Sequence, residues 1–327
     1  MGRSAHITMI ENQSSGQSLL RLPASPMKKA FKVILGTLAG LIVILVGLGF
    51  FARGRSQAAL GKTYAVTVRP LAIPADAATI GRGKHIAETR GCNDCHGHDY
   101  AGAKVIEDGA MGRLYGSNLT TGKGSKVAGF TDEDWVRAIR HGVGKDGRGL
   151  FIMPAVEYSH FSDEDLAAVI AFLKSVPPVD RDPVAPAYGP MTQILLTLAP
   201  EKMIAAAAID HAHVAPPVSI AKAPTAEYGR YVATSCMGCH GANFSGGKIE
   251  MGPPDWPLAA NLTPHADGHL GKWTEQEFIS VVRTAKRPDG TTLNPVMPAA
   301  FGGMDDIELK ALWAFFRSLP PVAQGTR

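Results

Sequence analysis

Cys92-Asn93-Asp94-Cys95-His96 and Cys236-Met237-Gly238-Cys239-His240 are two copies of Cys-x-x-Cys-His, with first cysteines 144 positions apart. Each has the spacing of a c-type haem attachment site: two thiols add to the two vinyl groups of one haem, and the adjoining imidazole ligates the iron. A bare Cys-x-x-Cys would equally suit a redox dithiol or half of a zinc site. Here all 4 cysteines of the chain fall inside the two motifs, and both motifs carry the histidine. The reading is therefore two covalently bound haem c groups, one on Cys92 and Cys95 with His96, the other on Cys236 and Cys239 with His240.

Around these motifs the chain repeats itself. Tyr100-Ala101-Gly102-Ala103-Lys104-Val105 matches Phe244-Ser245-Gly246-Gly247-Lys248-Ile249, and Asn118-Leu119-Thr120 returns as Asn261-Leu262-Thr263. Phe130 to Trp135 faces Trp273 to Phe278, Met153-Pro154 returns at Met297-Pro298, and Phe172 to Val179 returns as Phe315 to Val322. Two homologous units of about 100 residues, an ordinary domain size, account for this pattern.

Both Met-Pro pairs lie 57 residues after their motif histidine. A thioether opposite imidazole is the His/Met ligation of electron-carrying cytochromes, and the proline keeps the methionine in a stiff loop. Methionine is more often adaptable core filling, and there are 11 here. The duplicated position singles out Met153 and Met297 as iron ligands, with Met304 as the rival to Met297; Met111, Met191, Met203 and Met251 read as packing. His85, His98, His141, His160, His211, His213, His265 and His269 are not duplicated and read as surface or loop histidines, His141 and His160 being the two that flank Met153. Arg140 and Arg283 do align on a helix, where they would pair with a haem propionate or face solvent.

Val33 to Phe51 is 19 consecutive residues without a charge, enough helix to cross a bilayer core. Lys28, Lys29 and Lys32 precede it and Arg53 and Arg55 follow, an asymmetry that favours a cytoplasmic N-terminus. A cleaved signal peptide would carry a shorter apolar run and a small-residue site, so a retained anchor is the better reading. Met27-Lys28-Lys29 looks like a natural start. The net charge of +4 carries no nucleic-acid signal, because residues 1 to 70 hold nine Lys or Arg against one Glu and the remainder is net acidic.

No stretch shows sustained strand alternation, and each unit reads as helical. The first helix is expected over Thr79 to Thr89 and Ala226 to Thr234. A middle helix starts at Thr131 and at Thr274 with a Thr-x-x-acid cap, and a closing helix starts at Ser162 and at Asp305 with acids in its first turn. Leu166, Val169, Ile170 and Leu173, and Leu309, Leu312, Trp313 and Phe316, form its apolar stripes. Pro177-Pro178 and Pro320-Pro321 stop it. The resulting organisation is a cytoplasmic segment over 1–30, an anchor over 31–53, a short linker over 54–75, haem domains over 76–180 and 226–324, and between them a linker over 181–225. Met191 to Ile209 in that linker is apolar but broken by Pro200, Glu201 and Lys202; it reads as a linker helix packed on one domain, with an interfacial helix or docking surface as the sharper alternative.

The succession Cys-x-x-Cys-His, Asn-Leu-Thr, the helix Phe130 to Gly142, Met-Pro, the acidic closing helix and Pro-Pro-Val resembles class I cytochrome c domains, specifically those in the cytochrome c subunit of bacterial membrane-bound alcohol and aldehyde dehydrogenases. The resemblance runs from near Asp76 to Val322. That family usually carries three haem domains, and this chain has two. It implies an all-α fold of two tandem class I domains behind one transmembrane helix, the haem domains facing the periplasm from the bacterial inner membrane. It also implies Cys92, Cys95, His96 and Met153 serving one haem and Cys236, Cys239, His240 and Met297 the other. The implied partners are a periplasmic dehydrogenase subunit and a terminal oxidase or soluble cytochrome, with electrons passing toward quinone or oxidase. The alternative is a dihaem redox enzyme of peroxidase or thiosulfate dehydrogenase type, which would need one open iron. Methionines in both units favour the carrier.

Overall fold

The computed structural model describes residues 26–249, 252–253 and 255–326. The expected N-terminal segment, up to residue 25, and Met251 lie outside the described residues. The chain forms two units, Met1–Phe51 and Ala52–Arg327. The described part of the first belongs to helix α1, Pro26–Gly61, which holds an 18-residue stretch of mean hydropathy 2.6 and is long and apolar enough to cross a membrane.

In the second unit the elements follow in the order α2 (Ala77–Thr89), α3 (Cys92–His96), β1 (Lys104–Asp108), β2 (Gly112–Tyr115), α4 (Asp132–His141), α5 (Ala155–Tyr158) and α6 (Asp163–Ser175). Then come β3 (Ala187–Tyr188), α7 (Pro190–Leu198), α8 (Pro200–Met203), α9 (Ala226–Val232), α10 (Met237–His240), α11 (Glu275–Thr284) and α12 (Asp306–Ser318). Short 3-10 turns occupy Ala205–Ala207, Ala233–Cys236 and Ala299–Gly303.

The caps read from sequence are built. Thr131 accepts from Asp134 N while Thr131 N donates back to the Asp134 carboxylate, and Thr274 with Glu277 repeats this reciprocal box. Ser162 accepts from Asp165 N, and Asp305 with Glu308 makes a third box. Asp76 starts α2 two residues earlier than the hydrophobic pattern alone suggests, by accepting from Thr79 N. In the second repeat the α-helix ends at Val232 and tightens into the 3-10 turn that delivers Cys236.

Each domain is a first helix crossed on a closing helix, α2 on α6 and α9 on α12. The stripes predicted for the closing helices supply the cores: Leu166, Val169, Ile170 and Leu173 in one, Leu309, Leu312 and Phe316 in the other, all buried. Trp313 is only half-buried and lies under the Arg317 guanidinium.

One feature departs from the sequence reading. The protein is helix-rich but not purely helical, since β1 and β2 form an antiparallel hairpin joined by β3. The strands are too short for alternation to register, and the hairpin turn is made by Asp108, whose carboxylate accepts from Ala110 N and Met111 N at 2.8 and 2.6 Å. The segment over 181–225 packs on the first domain. It supplies β3 to the first domain's sheet, and Leu196, Met203 and Ile204 build a third small core with Val143 and, from the end of α1, Ala59 and Leu60.

Candidate haem sites

The sites begin where the first helices end. Gly91 takes a left-handed conformation (φ 77°) that lets the chain turn from α2 into the five-residue α3, placing Cys92, Cys95 and His96 on one turn. The second motif is reached through the 3-10 turn ending at Cys236, and α10 carries Cys239 and His240. Burial pushes the Cys92 and Cys236 thiols up to about 12. A redox dithiol needs the opposite, a stabilised thiolate. Among the described residues neither motif joins a cluster of three His, Cys or carboxylate donors, so a zinc site is not formed either.

Both motif histidines have one nitrogen committed. His96 Nδ1 lies 2.8 Å from the Ser117 carbonyl oxygen, and His240 Nδ1 lies 2.7 Å from that of Ala260. A carbonyl only accepts, so Nδ1 carries the hydrogen and Nε2 is the nitrogen with the lone pair, the one that would ligate a metal. Burial lowers the His96 pKa against the opposing pull of the Ser117 bond, keeping the ring neutral as ligation requires.

The repeated Asn-Leu-Thr is what fixes those carbonyls. Asn118 follows Ser117; its Oδ1 accepts from Thr120 N at 2.8 Å and its Nδ2 donates to the Val179 carbonyl at 2.9 Å. Asn261 follows Ala260 and does the same with Thr263 N and the Val322 carbonyl, at 2.9 and 2.7 Å. The loop that orients each histidine is thus tied to the Pro-Pro-Val tail of its closing helix. The sequence displayed this motif twice, but its purpose appears only when the two distant segments meet.

In the second domain a cavity of about 210 Å³ opens beside α10. It is bounded by Cys236, Cys239, His240, Met297 and Met304, with apolar walls that include Leu270 and Phe278. This donor set and lining fit a haem: two thiols and an imidazole on the motif, a thioether within the same cavity, and otherwise hydrocarbon. The two methionines differ in burial, Met304 being 2% exposed and part of the core, Met297 half-buried on the loop. One wall residue escaped the sequence reading. Arg287 lines the cavity with its Nε buried and unpartnered, a donor suited to a haem propionate. Its position in the first repeat holds no cation, so the duplication gave no signal.

In the first domain Met153 and Cys92 pack against the same core. The methionine loop is held from the linker: Ile152 N donates to the Met203 carbonyl at 2.7 Å, and Phe151 bridges Ile204. Ile152 has φ 59°, a left-handed conformation costly for a β-branched side chain, immediately before Met153.

The aligned arginines each tie two helices of their own domain together, and Arg140 keeps a buried, unpartnered Nε besides. Arg140 donates to Asp163 Oδ1 at 2.9 Å and to the Phe161 carbonyl at 2.8 Å, and Arg283 pairs with Asp306. Both join the middle helix to the first residue of the closing helix. Of the remaining histidines, His98, His160 and His213 are exposed, His141 packs against His211 (Nδ1 to Nδ1 3.2 Å), His269 stacks on Trp273 and His85 meets Glu308.

Residues 78–173 match the family described as cytochrome c oxidase, cbb3-type, subunit III, and residues 226–320 match cytochrome c. The chain is 27% identical to the cytochrome c subunit of a quinone alcohol dehydrogenase from Gluconobacter oxydans, over 77% of this chain and 57% of that one. It is 26% identical to a fructose dehydrogenase cytochrome subunit from Gluconobacter japonicus, over 76% and 54%. Against a gluconate 2-dehydrogenase cytochrome c subunit from Pantoea cypripedii the identity is 29%, over 71% and 55%. The chain spans about half the length of these curated relatives. It carries two cytochrome c domains, and with them two covalent haem c groups on the cysteine pairs 92/95 and 236/239.

Proposed function

We propose that this two-domain c-type cytochrome is a membrane-anchored electron-transfer subunit, taking single electrons from a periplasmic dehydrogenase and passing them to a respiratory acceptor such as a terminal oxidase or a soluble cytochrome. The observation that carries the reading is the second-domain cavity, where Cys236, Cys239, His240 and Met297 share one apolar enclosure and His240 is already oriented through Nδ1. His96 and Met153 would hold the first iron, and His240 and Met297 the second. The bound groups supply one-electron ferric/ferrous couples. The protein's part is to hold the ligands still, exclude water and keep the imidazoles neutral. α1 is the anchor in this reading, with the haem domains across the membrane from the basic N-terminal side. The relatives being dehydrogenase cytochrome subunits supports a dehydrogenase as donor.

The test is the visible spectrum of the reduced, haem-loaded protein before and after carbon monoxide. Closed irons leave it unchanged. Met153→Ala or Met297→Ala should each open one iron and lower one midpoint potential. A carbon monoxide shift in the unmodified protein would refute closed His/Met ligation and bring the dihaem-enzyme reading forward.

A further inference from the structure

The two haem domains meet through contacts that the internal repeat makes equivalent. His85 and Tyr231 occupy the same place in the helix before each motif, α2 and α9, and Asp165 and Glu308 are each the third residue of a closing helix. Across the interface His85 Nε2 lies 2.6 Å from Glu308 Oε2. In the reverse direction the Tyr231 hydroxyl donates to Asp165 Oδ2 and accepts from Ser162 N at 3.0 Å. Each first helix thus reaches the N-terminal carboxylate of the other domain's closing helix. Arg90, just before the first motif, adds a buried bond from Nη2 to Glu308 Oε1 at 3.0 Å.

The reciprocity extends to the haem sites. The turn after Met297, Ala299–Gly303, packs on α2, while α5, after Met153, packs on the turn that leads into Cys236. A Cβ at Gly238, inside the second motif, would stand 2.9 Å from Glu157 Oε1 of α5. The segment following each candidate axial methionine therefore lies against the approach to the other domain's cysteines. This is the geometry of an isologous, two-fold contact, built here within one chain.

We propose that this interface is a fixed electron-exchange junction, in which Glu308 with His85 and Arg90, and Asp165 with Tyr231, are positioning residues that hold the two attachment motifs together so that electrons pass directly between the haems. The proposal rests on the electron-transfer reading above. His85, Asp305 and Glu308 are also close enough to one another to suggest a metal site. Both Glu308 oxygens already face His85 and Arg90, however, and Asp305 is paired with Lys222, so protein side chains already occupy the acids. Although burial alone would raise it, the His85 bond and the Arg90 charge bring the Glu308 pKa down to about 2, so the carboxylate stays ionised.

The experiment uses the full, haem-loaded chain with Glu308→Gln combined with Tyr231→Phe. Glutamine keeps the helix cap, and phenylalanine keeps the ring. Haem-to-haem exchange is timed after flash photoreduction, and the exciton couplet of the Soret circular dichroism reports haem geometry. The expected result is a fall in exchange of about tenfold, equivalent to about 1.4 kcal/mol of lost engagement, with a weakened couplet. Arg283→Met, which breaks an ion pair within the second domain, should leave both signals unchanged. Unaltered exchange and couplet in the folded double variant would overturn the proposal. Should that variant fail to fold, Glu308→Gln alone gives the same two readings. The carbon monoxide test is independent: open irons with slowed exchange would sink the carrier reading and keep the junction, whereas closed irons with unaltered exchange would do the reverse.

Discussion

Two glycines on α2 make opposite predictions for the same substitution. A Cβ at Gly81 meets nothing within 4 Å; at Gly83 it would lie 1.8 Å from the Ala168 carbonyl oxygen and 2.9 Å from Phe172 Cβ. Bringing that 1.8 Å contact out to 3.0 Å requires α2 to retreat from α6 by about 1.2 Å, and the neighbour is backbone that cannot rotate away. Overpacking of this kind costs about 3 kcal/mol, and the gain in helix propensity from glycine to alanine offsets about 1 kcal/mol of it. Gly83→Ala should therefore lose about 2 kcal/mol, which for a domain of this size lowers Tm by roughly 10 °C. Gly81→Ala keeps only the propensity gain and should raise it by a few degrees. Thermal melts of the haem-loaded protein, followed by Soret and far-ultraviolet circular dichroism, separate the two. A Gly83→Ala protein melting at or above the parent would refute the close crossing of α2 on α6. Gly229 repeats the arrangement in the second domain, 1.9 Å from the Ala311 carbonyl oxygen, and its alanine variant should destabilise that domain instead.

The paired arginines should differ in the same way. Arg140 is buried and Arg283 exposed, so Arg140→Met should cost about 3 kcal/mol and Arg283→Met under about 1 kcal/mol in denaturant titrations; equal costs would contradict the difference in burial. Asn261→Ala leaves the Val322 carbonyl only its longer bond from the Thr263 hydroxyl (3.3 Å) and takes the acceptor from Thr263 N, and should lower stability by about 1–3 kcal/mol, an unmoved denaturation midpoint being the contrary result. Burial and then the neighbouring His211 hold the His141 pKa down at about 4, below its ordinary 6.5. Folding thus favours the neutral ring, and the stability it confers is present above pH 6.5 and lost as pH falls toward 4. Allowing for some water access, the loss is about 2 kcal/mol. His141→Gln should flatten the stability profile across that window, and an identical profile in the variant would exclude His141 as its source.

The attachment motifs, the duplicated units and the longer helices were legible in the chain, because each rests on a local pattern, whereas the short α3, α5, α8 and α10 were not. Two thiols and an imidazole at fixed spacing, an apolar stripe at helical period and a hydroxyl three residues before an acid are all properties of neighbouring residues. The small sheet was not, since β1 alternates poorly and β2 takes its second partner, β3, from beyond α6. Arg140 and Arg283 were visible as a duplicated pair, yet their partners Asp163 and Asp306 lie 23 residues further on, and sequence offers no rule for that distance.

By itself, then, the sequence determined where two haems attach, how many helical units hold them, and which apolar faces must be buried, since covalent chemistry and helical periodicity act over a few residues. Only the tertiary structure decided which carbonyl fixes each histidine, that the linker clasps the Met153 loop, and that His85 and Tyr231 cross to the opposite domain. Those choices depend on hydrogen bonds and packing between segments tens to hundreds of residues apart, as with His85 and Glu308, where chain order carries no information about proximity.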